Sequence, residues 1–196
     1  MMIRSFLAAL MLSILAAGPA LAHTGAGSVS GFAAGFGHPI GGLDHILAMV
    51  AVGVLAAQMG GRALWLVPAA FVAMMIAGGL AAVSGIALPM VEIGIVGSVV
   101  VLGAVIAFGR KMPVVLAMAV VGAMAVFHGH AHGTEMPVSA SGLEYGLGFA
   151  LATALLHAAG IGAALTAAQA NAKIAPLALR ASGGAIALAG MALFVA

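Results

Sequence analysis

Residues 91–113 read VEIGIVGSVVVLGAVIAFGRKMP. Between Glu92 and Arg110 no side chain carries a formal charge. At about 1.5 Å per residue, the helix Val91 to Phe108 nearly fills a hydrocarbon core about 30 Å thick. The same pattern extends in both directions. Of 196 residues, 65% are hydrophobic and 5% charged, against roughly 25% charged in a soluble domain. Apolar segments run over Ser30 to Met59, Ala63 to Val83, Val91 to Phe108, Pro113 to Ala131, Leu143 to Ala168 and Pro176 to Val195. Short polar connections separate them, which describes several spans and not one large water-surrounded core. The expected fold is all-α: a polytopic membrane protein with six transmembrane helices after a cleaved signal peptide.

The leader reading rests on Arg4, the apolar stretch Phe6 to Ala17, then Gly18-Pro19 and the small-residue triplet Ala20-Leu21-Ala22. That is the layout of a secretory signal cut after Ala22. Residues 1–22 are thus expected to be removed and residues 23–196 to form the six-span domain, with His23 at the mature start.

The few charges orient the spans. Arg62 lies between the first and second, Arg110-Lys111 between the third and fourth, and Lys173 and Arg180 beside the start of the sixth. The alternate connections carry no Lys or Arg. Positive-inside bias then makes the odd connections cytoplasmic and both mature termini periplasmic, in a cytoplasmic (inner) membrane. Glu92, Glu135 and Glu144 sort to the opposite, outer side. The bilayer is the expected surrounding. Nucleic acid is excluded as a partner, because the six Lys and Arg form no basic run with interleaved aromatics. A homo-oligomer is left open.

With no cysteine, any metal chemistry must use imidazole, carboxylate, thioether or backbone groups. Two segments supply them. The first is His38-Pro39-Ile40-Gly41-Gly42-Leu43-Asp44-His45, inside the long first apolar run. Ionisable side chains at membrane depth need a compensating partner, and a bound cation is one. Pro39 and Gly41-Gly42 weaken the helix there, so a kinked or partly unwound span is expected to bring His38, Asp44 and His45 together. The second is Phe127-His128-Gly129-His130-Ala131-His132-Gly133-Thr134-Glu135. His128 and His132 are four residues apart and Glu135 seven from His128, so a continuing helix puts all three on one face. His130 then points elsewhere. His157, about fifteen residues into the fifth segment, matches Asp44 and His45 in depth, and His23 offers an imidazole and a free amine. Imidazole with carboxylate suits Ni, Co, Zn or Cu(II) better than Mg or Ca. The candidate metal residues are therefore His38, Asp44, His45, His128, His130, His132, Glu135, His157 and His23. Topology separates the two segments into an intramembrane selective site and a capture site at the outer mouth.

His38-Pro39 with Gly42, Asp44 and His45 resembles the HPxxGxDH signature of the HupE/UreJ family of permeases associated with nickel hydrogenases and ureases. Phe127 to Glu135 resembles that family's second signature, FHGxAHGxE. The resemblance covers nearly the whole chain. It implies a transporter and not an enzyme: a secondary transporter or facilitator that moves Ni2+ inward, with Co2+ as the second candidate. The metal is cargo, no cofactor is permanent, and a functional link to nickel-enzyme maturation proteins is left open. The rival reading from another class is a membrane haem or redox subunit with His45 and His157 as paired axial ligands.

Overall fold

The computed structural model describes residues 31–136 and 141–195. The expected leader, residues 1–22, and His23 lie outside the described residues. Seven α-helices occupy the described chain: α1 Gly31–Gly41, α2 Leu43–Met59, α3 Ala63–Val83, α4 Val91–Phe108, α5 Val114–Glu135, α6 Gly142–Ala170 and α7 Ala175–Leu193. No strand occurs among the described residues. Helices α3 to α7 are each long and apolar enough to cross a membrane. Helices α1 and α2 pass that test only as a pair, bent by 82°.

The first apolar run is therefore broken, as Pro39 and the glycine pair suggest, and the break falls at Gly42 (φ −107°, ψ 125°). Pro39 remains inside α1. It has no N–H to give to the preceding turn, so the end of α1 is poorly tied and the extended Gly42 ends it. At the far end of α2, Gly60 (φ 68°) and Gly61 (φ 53°) make the tight turn into α3. Two consecutive left-handed residues are accessible to glycine at little steric cost.

Glycines also set how closely the helices approach. A Cβ on Gly78 would collide with the Val126 backbone, and one on Gly129 with the Met75 carbonyl. Helices α3 and α5 thus run parallel with their backbones in contact, as small-residue interfaces permit in lipid. Helix α1 lies on the first half of α6, with Gly35 against Tyr145 and Gly148 against Phe32. Helix α2 continues along the second half, with Gly53 and Gly160 opposed. Helices α4 and α7 pair antiparallel through Gly103, Gly183 and Gly190. The core between these pairs is apolar, built on Met49, Val52, Phe71, Leu102, Ile106 and Val121. Leu80, Phe108, Val115, Leu143 and Leu177 project outward, all more than half exposed. In water that surface would be a liability, whereas in lipid it is the expected exterior.

The charges sort by end. Gln58 near the end of α2 donates to the Ile106 carbonyl, and Arg180 Nε donates to the Ala107 carbonyl at 2.8 Å. The Arg62, Arg110-Lys111 and Arg180 ends therefore lie together. Glu135 and Glu144 sit at the opposite end, against His38 and the start of α1 respectively.

Candidate metal site

Helix α5 continues through the second histidine segment to Glu135, four residues beyond the apolar boundary drawn from sequence. The helix carries His128 and His132 on one face, both buried, and turns them toward the α1–α2 break. His38 comes from the end of α1 and His45 from the first turn of α2. The rings of His38 and His132 are 4.4 Å apart between centroids, His132 and His45 4.7 Å, and His45 and His128 4.9 Å. With metal–nitrogen bonds of about 2.1 Å, two imidazoles on one ion have centroids no more than roughly 6.4 Å apart. All three neighbouring pairs satisfy that limit. The intramembrane site and the mouth site expected separately from sequence thus form one continuous row, because the broken first span lets its histidines reach the end of α5.

Glu135 closes one end of the row, its Oε2 3.0 Å from His38 Nε2. His38, His132 and Glu135 each offer a ligand atom, all within 4.8 Å of one another. Two donors on opposite sides of one ion are about 4.2 Å apart, so a small contraction would complete this set. Two residues that sequence reasoning did not single out hold the rings from outside. Tyr145, the chain's single tyrosine, places its hydroxyl 3.2 Å from His38 Nδ1. Ser98 of α4 places its hydroxyl 2.8 Å from His128 Nε2. The signal for Ser98 is a lone polar group in the apolar run of α4; Tyr145 offers only its being the chain's single tyrosine.

Asp44 acts on His45. One of its oxygens, Oδ1, accepts both the His45 backbone N–H and the ring Nδ1–H, each at 2.8 Å. A carboxylate only accepts, so the proton of neutral His45 is on Nδ1 and the lone pair on Nε2. That Nε2 is buried without a hydrogen-bond partner, as are His128 Nδ1 and both ring nitrogens of His132 and His157. Each buried polar atom left unpaired costs about 1–3 kcal/mol. Each neutral imidazole keeps one bare ring nitrogen, so rings crowded this way could present several lone pairs to one cation.

His157 is not in direct ring contact with the row. It packs edge-on against Phe71 at 5.1 Å, and Phe71 in turn lies 5.6 Å from His128. Its neighbour Thr153 donates to Met75 Sδ at 3.7 Å. His157 also lines a groove of about 330 Å3 between Leu64, Pro68 and Val72 of α3 and Ala158 and Ile161 of α6. His130 does turn away, and its Nε2 lies 2.8 Å from the carbonyl of Ile86 in the α3–α4 connection.

The HupE / UreJ protein family model matches residues 9–193, which contain both histidine segments and every described helix. The chain belongs to the HupE/UreJ family. It is 48% identical over 179 residues to Protein HupE of Rhizobium leguminosarum bv. viciae, covering 90% of this chain and 92% of that one. No solved structure matches it. Membership places both signature segments in a transporter and accessory family and not among enzymes.

Proposed function

We propose that this HupE/UreJ chain carries Ni2+ inward across the cytoplasmic membrane as a secondary transporter or facilitator, for metalloenzyme maturation, with Co2+ as a second substrate. The observation that carries this reading is the row Glu135–His38–His132–His45–His128, continued past Phe71 to His157. Its donors are nitrogen and carboxylate oxygen, which suit a borderline ion such as Ni2+ over Mg2+ or Ca2+. The family's link to nickel uptake for hydrogenase and urease supports the same cargo. Glu92, Glu135 and Glu144 gather cations at the entrance, and the basic end faces the cytoplasm. Several moderate sites in series permit release as well as capture.

The haem reading fares worse. His45 and His157 would have to face each other across a flat macrocycle, but Phe71 and His128 fill the space between them. The test is radio-nickel accumulation in a transport-deficient host, with Co2+, Zn2+ and Mg2+ as competitors. His38→Ala, Asp44→Ala and His45→Ala should each abolish accumulation while the protein still reaches the membrane. Near-normal uptake in all three would refute the proposal.

A further inference from the structure

Ser98 sits within α4, fully buried, outside both histidine signatures. Its Oγ makes two short contacts, 2.6 Å to the carbonyl of Ile95 and 2.8 Å to His128 Nε2. A carbonyl can only accept and a hydroxyl has one proton. The 2.6 Å contact holds that proton, since two oxygen lone pairs would otherwise meet at that distance. Ser98 Oγ is then an acceptor toward His128. For the same reason the second contact requires a hydrogen on Nε2, because a bare nitrogen would set lone pair against lone pair.

We infer that Ser98, itself fixed by the Ile95 carbonyl, is a positioning residue that locks His128 in its Nε2–H tautomer and makes Nδ1 the nitrogen that meets the metal. His128 Nδ1 is buried and has no hydrogen-bond partner, so the nitrogen this assignment frees is the one without other employment. His45 is locked the opposite way by Asp44 and presents Nε2. The two rings stand at 88° to each other, one offering each kind of nitrogen. Their backing groups also differ. A carboxylate behind an imidazole raises its basicity as a ligand, and a neutral hydroxyl does so less. His45 is therefore the stronger holder and His128 the weaker one, a gradient that lets an ion move on toward Phe71 and His157. This deepens the nickel-transport reading and rests on it.

The experiment has two arms on the full chain. In bilayers, with 15N-labelled histidine and His128→Gln to assign the signal, solid-state NMR should show His128 protonated at Nε2 in the wild type. Ser98→Ala should convert it to a mixture of tautomers while His45 stays unchanged. Protonation at Nδ1 in the wild type, or no change in Ser98→Ala, would overturn the inference. In cells, Ser98→Ala should raise the apparent KM for Ni2+ by about 10- to 100-fold, the usual effect of losing an outer partner of a ligand. Ser98→Thr, which keeps the oxygen, should restore much of the loss. A KM unchanged in Ser98→Ala at equal protein level would also overturn it. A wild-type chain that moves no Ni2+ would refute the transport reading alone, because the NMR arm reads the tautomer without transport.

Discussion

Gly42→Ala tests whether the Asp44–His45 pair needs the space around it. The backbone of Gly42 (φ −107°, ψ 125°) is open to any residue, so a methyl group there costs nothing in conformation. A Cβ at Gly42 would instead stand 2.6 Å from Asp44 Oδ1 and 3.0 Å from His45 Nδ1. Carbon–oxygen contacts settle no closer than about 3.3 Å, so the carboxylate must retreat by about 0.7 Å. Both 2.8 Å bonds converge on that one oxygen and would stretch together beyond good hydrogen-bond length. A hydrogen bond to a charged group contributes about 1.5–3 kcal/mol, and 1.4 kcal/mol is a factor of ten. Apparent affinity for Ni2+ should fall roughly 10- to 100-fold. The assay is concentration-dependent radio-nickel uptake, normalised to membrane-inserted protein. Gly37→Ala is the control, since its Cβ would meet nothing within 4 Å. Gly42→Ala uptake within about twofold of wild type at equal protein level would refute the reasoning, because the loss expected from the broken bonds is larger than that.

Three further outcomes follow from the packing and the donors. Gly129→Ala, which drives a methyl into the Met75 carbonyl, should force α3 from α5 at a cost of about 1–3 kcal/mol or more; thermal unfolding in detergent at the wild-type temperature would count against it. His130→Gln keeps a donor for the Ile86 carbonyl and should retain most nickel uptake, whereas His132→Gln should lose it; equal losses would return His130 to the ligand set. Because a proton and a metal ion compete for the same imidazole lone pair, acidification should raise the apparent KM for Ni2+ and leave the maximal rate little changed; a fall in maximal rate at constant KM would argue against histidine as the limiting ligand.

The spans were legible because hydropathy is a local property. The segments Ala63 to Val83 and Val91 to Phe108 have the same bounds as α3 and α4, and the first span breaks beside the proline and glycines that weaken it. The end of α5 was set too early at Ala131, since hydropathy assigns His132 and Glu135 to water unless their partners are known. Their shared partner, His38, lies about a hundred residues earlier in the chain. The joining of the two histidine segments was illegible for the same reason: it depends on the 82° bend that turns α1 relative to α2. Helical phase turns His130 away from His128 and His132, and its ring meets the Ile86 carbonyl, although its residue type alone counts it among the candidate ligands. Ser98 offered only its isolation among apolar residues, and its role needs the distance to a ring thirty positions on.

The glycine contacts that join α3 to α5, and α1 and α2 to α6, divide the candidate ligands between two stiff bodies. His128, His132 and Glu135 ride with the first, and His38, Asp44, His45 and His157 with the second. Backbones that touch cannot slide without collision, so relative motion costs least along the seam between these bodies. That seam is where an ion would be shared. Since a coordination bond is only about 2.1 Å long, parting the bodies by an ångström or two would strip half the donors from the ion at once. On the transport reading proposed above, a small rocking of one body against the other would be enough to break the row, with no helix having to unwind.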